Sequence, residues 1–379
     1  MKIYYNMSKI LDKFFTVTLK YHERYKYKKY FKKTTDQIRS KFAKVTDKKI
    51  LSDQQKSEIT KYYENLTGKK VSLLYHEYFY SRTGVYSKEY MPIDLYEADL
   101  IGRANRWDYY DAYSDKNMDE VYLPHIRHPK TFLKNINGYF YRSGLPIGRN
   151  EAIEVCSSIN EAIIKPSLLS RGKGVKQFSA LNGVTNIDGK TVAEIFDDYK
   201  KDFIIQESVR QHPQIAALNP SSVNTIRIMT YRSGMEVIVV YAVIRIGRKG
   251  QIIDNQSAGG ISTVIHEDGR LGKYAFGVAG NDKIEITDTG IVLENYPIPF
   301  FEKAIETVKR SHYDLPFFDI VGWDVSIDET GEPVLIEWNG NPGPSQTACG
   351  TGLGEYTERI IKEIWDRPNT RSMIFGGFH

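Results

Sequence analysis

The sequence is poor in cysteine: two in 379 residues, Cys156 and Cys349. That excludes a disulfide framework, and both are expected as reduced thiols. It has no apolar run near the roughly 18–20 residues needed to span a bilayer. It also has no apolar signal core followed by a small-residue cleavage site near its start. The default expectation is a soluble protein of a reducing, cytoplasmic setting. His212 and His266 have no His, Cys or Asp partners at metal spacing and read as surface histidines. No Ser-His-Asp or Cys-His arrangement is present. The phosphate loop G-x-x-x-x-G-K-[ST] and the dinucleotide fingerprint G-x-G-x-x-G are both missing. There is no internal repeat and no low-complexity linker. What is present is an ordinary globular mixture, 41% apolar and 26% charged, long enough for two or three lobes.

The net charge of +5 is unevenly spread. Residues 1–50 hold fifteen Lys/Arg against four Asp/Glu, which leaves the rest of the chain net acidic. Tyr21, Tyr25, Tyr27, Tyr30 and Phe31 are interleaved with Lys26, Lys28, Lys29, Lys32 and Lys33. One reading is a solvated helical face whose tyrosines pack on the body. Another is attraction to an anionic membrane surface or an acidic glycan. Aromatic–basic mixtures also bind single-stranded nucleic acid, but no nucleic-acid motif accompanies this one.

Patterning divides the chain into four parts. Residues 1–65 read as basic and helical, with Ser52 before Asp53-Gln54-Gln55 as an N-cap. Residues 66–115 are Tyr-rich and irregular. Residues 116–208 and 209–379 alternate strands with helices. Strands are expected at Thr131–Leu133, Tyr139–Tyr141, Ala162–Lys165, Phe203–Gln206, Thr225–Tyr231, Glu236–Ile246, Gly322–Ile327 and Pro333–Trp338. Helices are expected at Arg149–Ser158, Val192–Asp197, Pro299–Ser311 and Glu355–Asp366. Hairpin turns at 231–235 and 328–332 point to antiparallel pairing, an α+β class rather than a βαβ wind.

Two segments carry chemistry. Folding Gly322–Ile327 onto Pro333–Trp338 brings Asp324 roughly opposite Glu337, which is unfavourable unless compensated. Asn339, two residues on, shares the face of Glu337. Two carboxylates and a carboxamide make an all-oxygen site suited to Mg²⁺; a solvent-facing acidic hairpin is the plainer alternative. The polar Asn-x-Asn-Pro-Gly run through Asn341 favours the site. In the second segment an apolar strand ends in Lys165 and continues into Ser170-Arg171-Gly172-Lys173-Gly174. A lysine there needs a counter-charge, which a phosphate supplies, and Gly172 and Gly174 let backbone N–H groups approach phosphate oxygens. Alone this is a weak motif.

Taken together, from about residue 70 to 365, these motifs resemble the sugar-transfer associated family of ATP-grasp enzymes. In the resemblance, Lys116 of Asp115-Lys116-Asn117 and Lys165 are the phosphate lysines. Phe203–Val209 is the hinge strand, whose Gln206, Glu207 and Val209 meet adenine. Gln214 stands where many such enzymes place an acid on the ribose hydroxyls. The stretch from Gln211 through Asn224-Thr225-Ile226-Arg227 is the part most particular to the family. Asp324, Glu337 and Asn339 are the metal-binding positions for one or two Mg²⁺, and Ser170–Gly174 is a closing loop.

The resemblance implies an ATP-grasp fold, two α+β lobes with antiparallel sheets clamping ATP behind the basic helical region. It implies an ATP- and Mg²⁺-dependent carboxylate–amine ligase working through an acyl phosphate and releasing ADP and phosphate. Arg227 and Arg245 are candidates to stabilise the transferred phosphate or the oxyanion, with a sheet-face salt bridge as the alternative for Arg227. Asn224, Asn255, Asn341 and Gly352 are weaker candidates for substrate binding. The implied substrates are a carboxylate-bearing sugar or amino acid and an amine, in bacterial surface-polysaccharide synthesis, in the cytoplasm or at the inner face of the membrane. The rival readings are an ATP-grasp phosphotransferase acting on a sugar or glycan, and a non-catalytic scaffold for glycosyltransferases.

Overall fold

The computed structural model describes residues 28–169, 172–248, 259–278 and 283–371, together with residues 18, 25 and 250. The chain forms two compact units, Met1–Asp108 with Thr357–His379, and Tyr109–Tyr356. No helix among the described residues is long and apolar enough to cross a membrane.

The described part of the first unit is helical. A helix over residues 28–43 buries Tyr30, Thr34 and Ile38, four residues apart on one stripe, and leaves Lys28, Lys29, Lys32 and Lys33 exposed. The helix Asp53–Thr67 starts at Ser52, whose hydroxyl accepts from Gln55 N while Gln55 Oε1 accepts from Ser52 N, and it stops at left-handed Gly68. Its buried residues Ile59, Tyr63 and Thr67 again fall four apart. Leu74–Thr83 and a helical run from Ile93 to Ala104, with a wider turn at Tyr96–Leu100, complete the unit with Thr357–Ile364. The tyrosines of this region are largely interior. Tyr63, Tyr75, Tyr90 and Tyr96 are fully buried, and the Tyr63 hydroxyl donates to Tyr90 O at 3.0 Å. Tyr25 is exposed, whereas Tyr21 and Tyr27 lie outside the described residues.

The second unit holds two antiparallel sheets. The first is built from β1 (Thr131–Ile136), β2 (Tyr139–Arg142), β3 (Leu145–Ile147), β4 (Ala162–Pro166), β5 (Lys176–Phe178) and β8 (Phe203–Gln206), in the order β3-β2-β1-β8-β4-β5. A small hairpin, β6 (Ala180–Leu181) with β7 (Val184–Thr185), lies between β5 and β8 in sequence. The helices Arg149–Cys156 and Val192–Tyr199 contribute Ala152, Cys156, Val192, Ile195 and Phe196 to a core shared with Leu133, Ile164, Phe203 and Ile205.

The second sheet runs β11-β10-β9-β12-β13, from β9 (Ile226–Ser233), β10 (Glu236–Ile246), β11 (Ile261–Val264), β12 (Ile320–Ile327) and β13 (Pro333–Asn339); β14 (Gly352–Glu355) follows. Strand β12 alternates. Val321, Trp323, Val325 and Ile327 enter the core with Phe301, Ala304 and Val308 of the helix Phe301–His312, which turns Gly322, Asp324 and Ser326 to the other face. Each such large apolar side chain contributes roughly 1.5–3 kcal/mol by burial.

Strand β13 does not simply alternate. Val325 pairs with Leu335, but Asp324 pairs with Glu337 and Trp323 with Trp338, so Ile336 is an extra residue. Regular pairing outward from Ile327↔Pro333 would set Ile336 opposite Asp324, Glu337 towards the core and Trp338 away from it. The bulge reverses that phase. Leu335 and Trp338 both reach the core, and Ile336 and Glu337 both reach the face of Asp324.

All eight expected strands and all four expected helices of this pattern are present, with ends shifted by a few residues. The short strands β3, β5, β6, β7, β11 and β14 carry too few residues for a pattern to register.

Candidate active site

Strands β4 and β8 of the first sheet and β10, β12 and β13 of the second border a cavity of about 170 Å³ within the second unit. Ile163, Val175, Val209 and Ile336 give it apolar walls, while Lys116, Lys165, Arg245, Asp324 and Glu337 give it charge.

Lys165, next to last in β4, has its Nζ 3.5 Å from Ile336 O, the carbonyl of the bulge residue. Burial, with Lys116 nearby, pushes its pKa down to about 8, against the pull of Glu337 and Asp119. Lys116 reaches in from a loop. Its Nζ donates to Leu169 O at 2.9 Å and to Ser167 O at 3.4 Å, and lies 3.8 Å from Glu337 Oε2. The lysine is thereby tied to the start of the Gly loop, from which Gly172 lines the cavity. Gly174 has φ +71° and sits against Pro166, where a Cβ would come within 2.8 Å of Cγ. Ser170 and Arg171 lie outside the described residues.

Asp324 is the most constrained group. Arg227 on β9 is its direct cross-strand partner and grips it with both arms, Nε to Oδ1 at 2.5 Å and Nη2 to Oδ2 at 2.6 Å. Arg245, on β10, donates from Nη1 to Oδ2 at 3.1 Å. Burial would raise the Asp324 carboxyl, but Arg227 and Arg245 outweigh it and hold the group below the ordinary carboxylate range. The same pairing outweighs the burial that would lower Arg227, and raises it. Arg227 therefore faces Asp324 and is not among the residues lining the cavity, whereas Arg245 is.

One residue of this cluster escaped sequence reading. Asp119 lies three positions after Lys116, is buried, and has Oδ1 without a hydrogen-bond partner. Burial pushes its pKa up to about 7, against the pull of Lys116 and Lys165 and a hydrogen bond from Trp338. Nothing in the chain marks it out from Asp111, Asp115 or Glu120.

The donor set fits a hard divalent cation. Asp324 and Glu337 are cross-strand partners, and both line the cavity. Asn339 Oδ1 accepts from Asn341 N at 2.8 Å and keeps a second lone pair, and Asn341 Oδ1 is buried without a partner. Among the described residues no group of three or more His, Cys, Asp and Glu side chains is arranged to hold a metal ion. Two carboxylates and an amide suit Mg²⁺, which is commonly held by one or two carboxylates plus substrate phosphates.

An acidic hairpin thus stands beside two lysines and a Gly loop, between two antiparallel sheets. The chain belongs to the sugar-transfer associated ATP-grasp family. The family model matches residues 95–362. No curated protein matches the chain. Among solved structures it is similar to D-alanine–D-alanine ligase from Helicobacter pylori, at 14% identity and TM-score 0.39, covering 71% of this chain and 62% of that one. It is also similar to the biotin carboxylase domain of 2-oxoglutarate carboxylase from Hydrogenobacter thermophilus, in complex with MgADP, ADP and bicarbonate, at 11% identity and TM-score 0.41, covering 68% and 47%. A third is the ADP complex of purK, N5-carboxyaminoimidazole ribonucleotide synthetase, at 15% identity and TM-score 0.37, covering 69% and 53%. The chain spans about half the length of the first of these matched structures.

Of the residues singled out in this ATP-grasp chain, Lys116, Lys165, Gly172, Gln206, Glu207, Val209, Arg245, Asp324 and Glu337 line the cavity. Gln206 Nε2 donates to Thr131 Oγ1 at 3.2 Å, and Glu207 Oε1 accepts from Lys130 N at 2.9 Å, so the end of β8 is fixed to β1. The others lie elsewhere. Gln214 is in the short helix Pro213–Ala216, where its carbonyl accepts from the Tyr296 hydroxyl. Asn224 is buried, with Nδ2 donating to Ile215 O and Asn219 O. Gly352 N donates to Gln346 Oε1. Asn255, with the rest of 251–258, lies outside the described residues.

Proposed function

We propose that this ATP-grasp protein is an ADP-forming, Mg²⁺-dependent carboxylate–amine ligase that forms an amide on a sugar of a surface glycan. The observation that carries the reading is the charge around one small cavity. Four cations, Lys116, Lys165, Arg227 and Arg245, surround two carboxylates, Asp324 and Glu337, beside apolar walls from Ile163, Val175, Val209 and Ile336. An excess of cations next to an apolar slot suits a polyanion with a flat apolar end, as in a purine nucleoside triphosphate.

In this reading Lys116 and Lys165 neutralise phosphate oxygens, and the backbone of Gln206–Val209 edges the base. Asp324, Glu337 and Asn339 would hold Mg²⁺. Bound there, the ion would offset phosphate charge, so that a carboxylate can approach phosphorus. The carboxylate becomes an acyl phosphate with ADP as leaving group, and the amine then displaces phosphate. The sugar-transfer association of the family supports a carboxylate-bearing sugar or amino acid as one substrate. The basic stretch of residues 1–50 supports a place at an anionic membrane surface.

The test is phosphate release from Mg-ATP across a matrix of amino acids, amino sugars and uronate acceptors, with Glu337→Ala as blank. The expected result is release that needs both a carboxylate and an amine, with a product mass equal to their sum minus water. A product of sugar alone, heavier by one phosphate, would replace the ligase with a kinase.

A further inference from the structure

The stretch from Gln211 to Arg227 reaches the cavity through Val223 and Thr225. These two flank Asn224, and all three precede β9 without belonging to a strand. Thr225 O accepts from Arg245 N of β10 at 2.8 Å. The partner of the Asn224 backbone is a side chain instead. Gln211 Oε1 accepts from Asn224 N at 3.0 Å and Gln211 Nε2 donates to Asn224 O at 2.8 Å, the two bonds that a neighbouring strand would make. Nε2 also donates to Ser326 Oγ at 3.0 Å, on the face of β12 that carries Asp324. The backbone around Gln211 is fixed to the end of the same strand. His212 N donates to Ile327 O at 2.9 Å, and Arg210 O accepts from Glu329 N at 3.1 Å. Upstream, Glu207 N donates to Lys130 O at 2.8 Å, beside β1. Only Ser208 and Val209 lie between these two anchorages, and Val209 lines the cavity. Three parts of the cavity wall, Val209, Val223–Thr225 and β12, are therefore joined around one amide.

We propose that Gln211 is a positioning residue for the nucleotide. Its amide sets the Val223–Thr225 segment against β12, so that this wall and the strand bearing Asp324 keep one spacing when the cavity is filled. Gln211 is not among the residues lining the cavity and acts through the neighbours of Asn224. The side chain of Asn224 donates to Ile215 O and Asn219 O, which holds the segment to the turn before it but not to β12. Without the Gln211 amide, Asn224 N and O lose their partners and the link to Ser326 is cut. This inference rests on reading the cavity as a nucleotide site.

The experiment measures Mg-ADP affinity by calorimetry and melting temperature on the same full-length variants. Gln211→Ala is expected to bind Mg-ADP about tenfold more weakly than the wild type. Ser326→Ala, which cuts only the arm to β12, is expected to lose about threefold. The double variant is expected to bind no more weakly than Gln211→Ala, because both changes break one link. Val308→Ala opens the core under the sheet and does not line the cavity. It is expected to lower the melting temperature at least as much as Gln211→Ala while keeping the wild-type affinity. Wild-type affinity in Gln211→Ala overturns the proposal, and so do single losses that multiply in the double variant. An equal loss of affinity in Val308→Ala also overturns it, since stability alone would then explain the effect. If Gln211→Ala does not fold, wild-type affinity in Ser326→Ala overturns it. Lys165→Ala separates the two readings. If it abolishes Mg-ADP binding while Gln211→Ala matches the wild type, only the positioning role fails. If Lys165→Ala binds Mg-ADP like the wild type, or the wild type binds none, the nucleotide reading of the cavity fails with it.

Discussion

Asp119 shows how much of this site's chemistry lies in one side chain whose surroundings disagree with its charge. It is buried, one of its oxygens has no partner, and no Lys or Arg nitrogen forms an ion pair with it among the described residues. The fold therefore favours its protonated form, with a pKa near 7 against 3.8 for an ordinary aspartate. The sign follows from linkage. A group raised on folding contributes stability that is fully present below the unfolded value and is lost as pH rises through the folded one. Relative to Asp119→Asn, which cannot titrate, the wild type is expected to lose roughly 1–3 kcal/mol of stability between pH 5 and pH 8. Urea unfolding of both proteins at the two pH values measures this difference directly, independent of whatever the amide itself costs. A difference that stays constant with pH would mean that Asp119 is ionised throughout and fully compensated by Lys116 and Lys165.

At the scale of elements, the hairpin β12–β13 and the loop that follows it decide where the carboxylates point. Gly322 sits on the cavity side of β12, and a Cβ there would meet Pro342 Cβ at 2.5 Å and Arg227 Cδ at 3.5 Å. Gly322→Ala must push the Asn339–Gly343 loop away from the strand. The expected cost is about 1–3 kcal/mol, as for overpacking elsewhere, with loss of nucleotide-dependent phosphate release. Gly343→Ala, one residue beyond Pro342, finds nothing within 4 Å and is expected to stay within about 0.5 kcal/mol of the wild type in thermal and denaturant unfolding. Equal effects of the two substitutions would show that the loop is not seated by Gly322.

This hairpin also marks how far the sequence could be read. Alternation and the Asp-Glu-Thr-Gly-Glu turn were enough to bring Asp324 near Glu337, because strand period and turn chemistry are local. They do not reveal the bulge at Ile336, which depends on Leu335 and Trp338 both reaching the core. Lys116 and Lys165 were legible through the resemblance of their flanking motifs. That Arg227 would face Asp324 was not, because a cross-strand pair 97 residues apart in sequence exists only once β9 and β12 are neighbours. Asn224 read as a weaker candidate for substrate binding. In the fold its amide instead bonds the carbonyls of Ile215 and Asn219.

At the scale of the whole molecule the question is what the uneven charge is for. The tyrosines of residues 66–96 fill the first unit, and Tyr30, Thr34 and Ile38 fasten the helix over residues 28–43 to its core. The packing is thus accounted for without the lysines. Lys28, Lys29, Lys32 and Lys33 stand on the exposed side, and none forms an ion pair among the described residues. A face with four unneutralised ammonium groups, in a stretch carrying fifteen Lys/Arg against four acids, is matched by an anionic surface. Near an anionic leaflet each such lysine contributes on the order of 1 kcal/mol. Replacing all four by Gln is therefore expected to lower binding to phosphatidylserine vesicles by at least about tenfold at low salt. The wild-type binding itself should fade as ionic strength shortens the Debye length. Sedimentation with neutral and anionic vesicles, at two salt concentrations, is the measurement. Because the four side chains are exposed, the variant should keep the wild-type melting temperature, so a loss of binding cannot be ascribed to unfolding. Unchanged binding to anionic vesicles would make the lysine face a solvated helix surface.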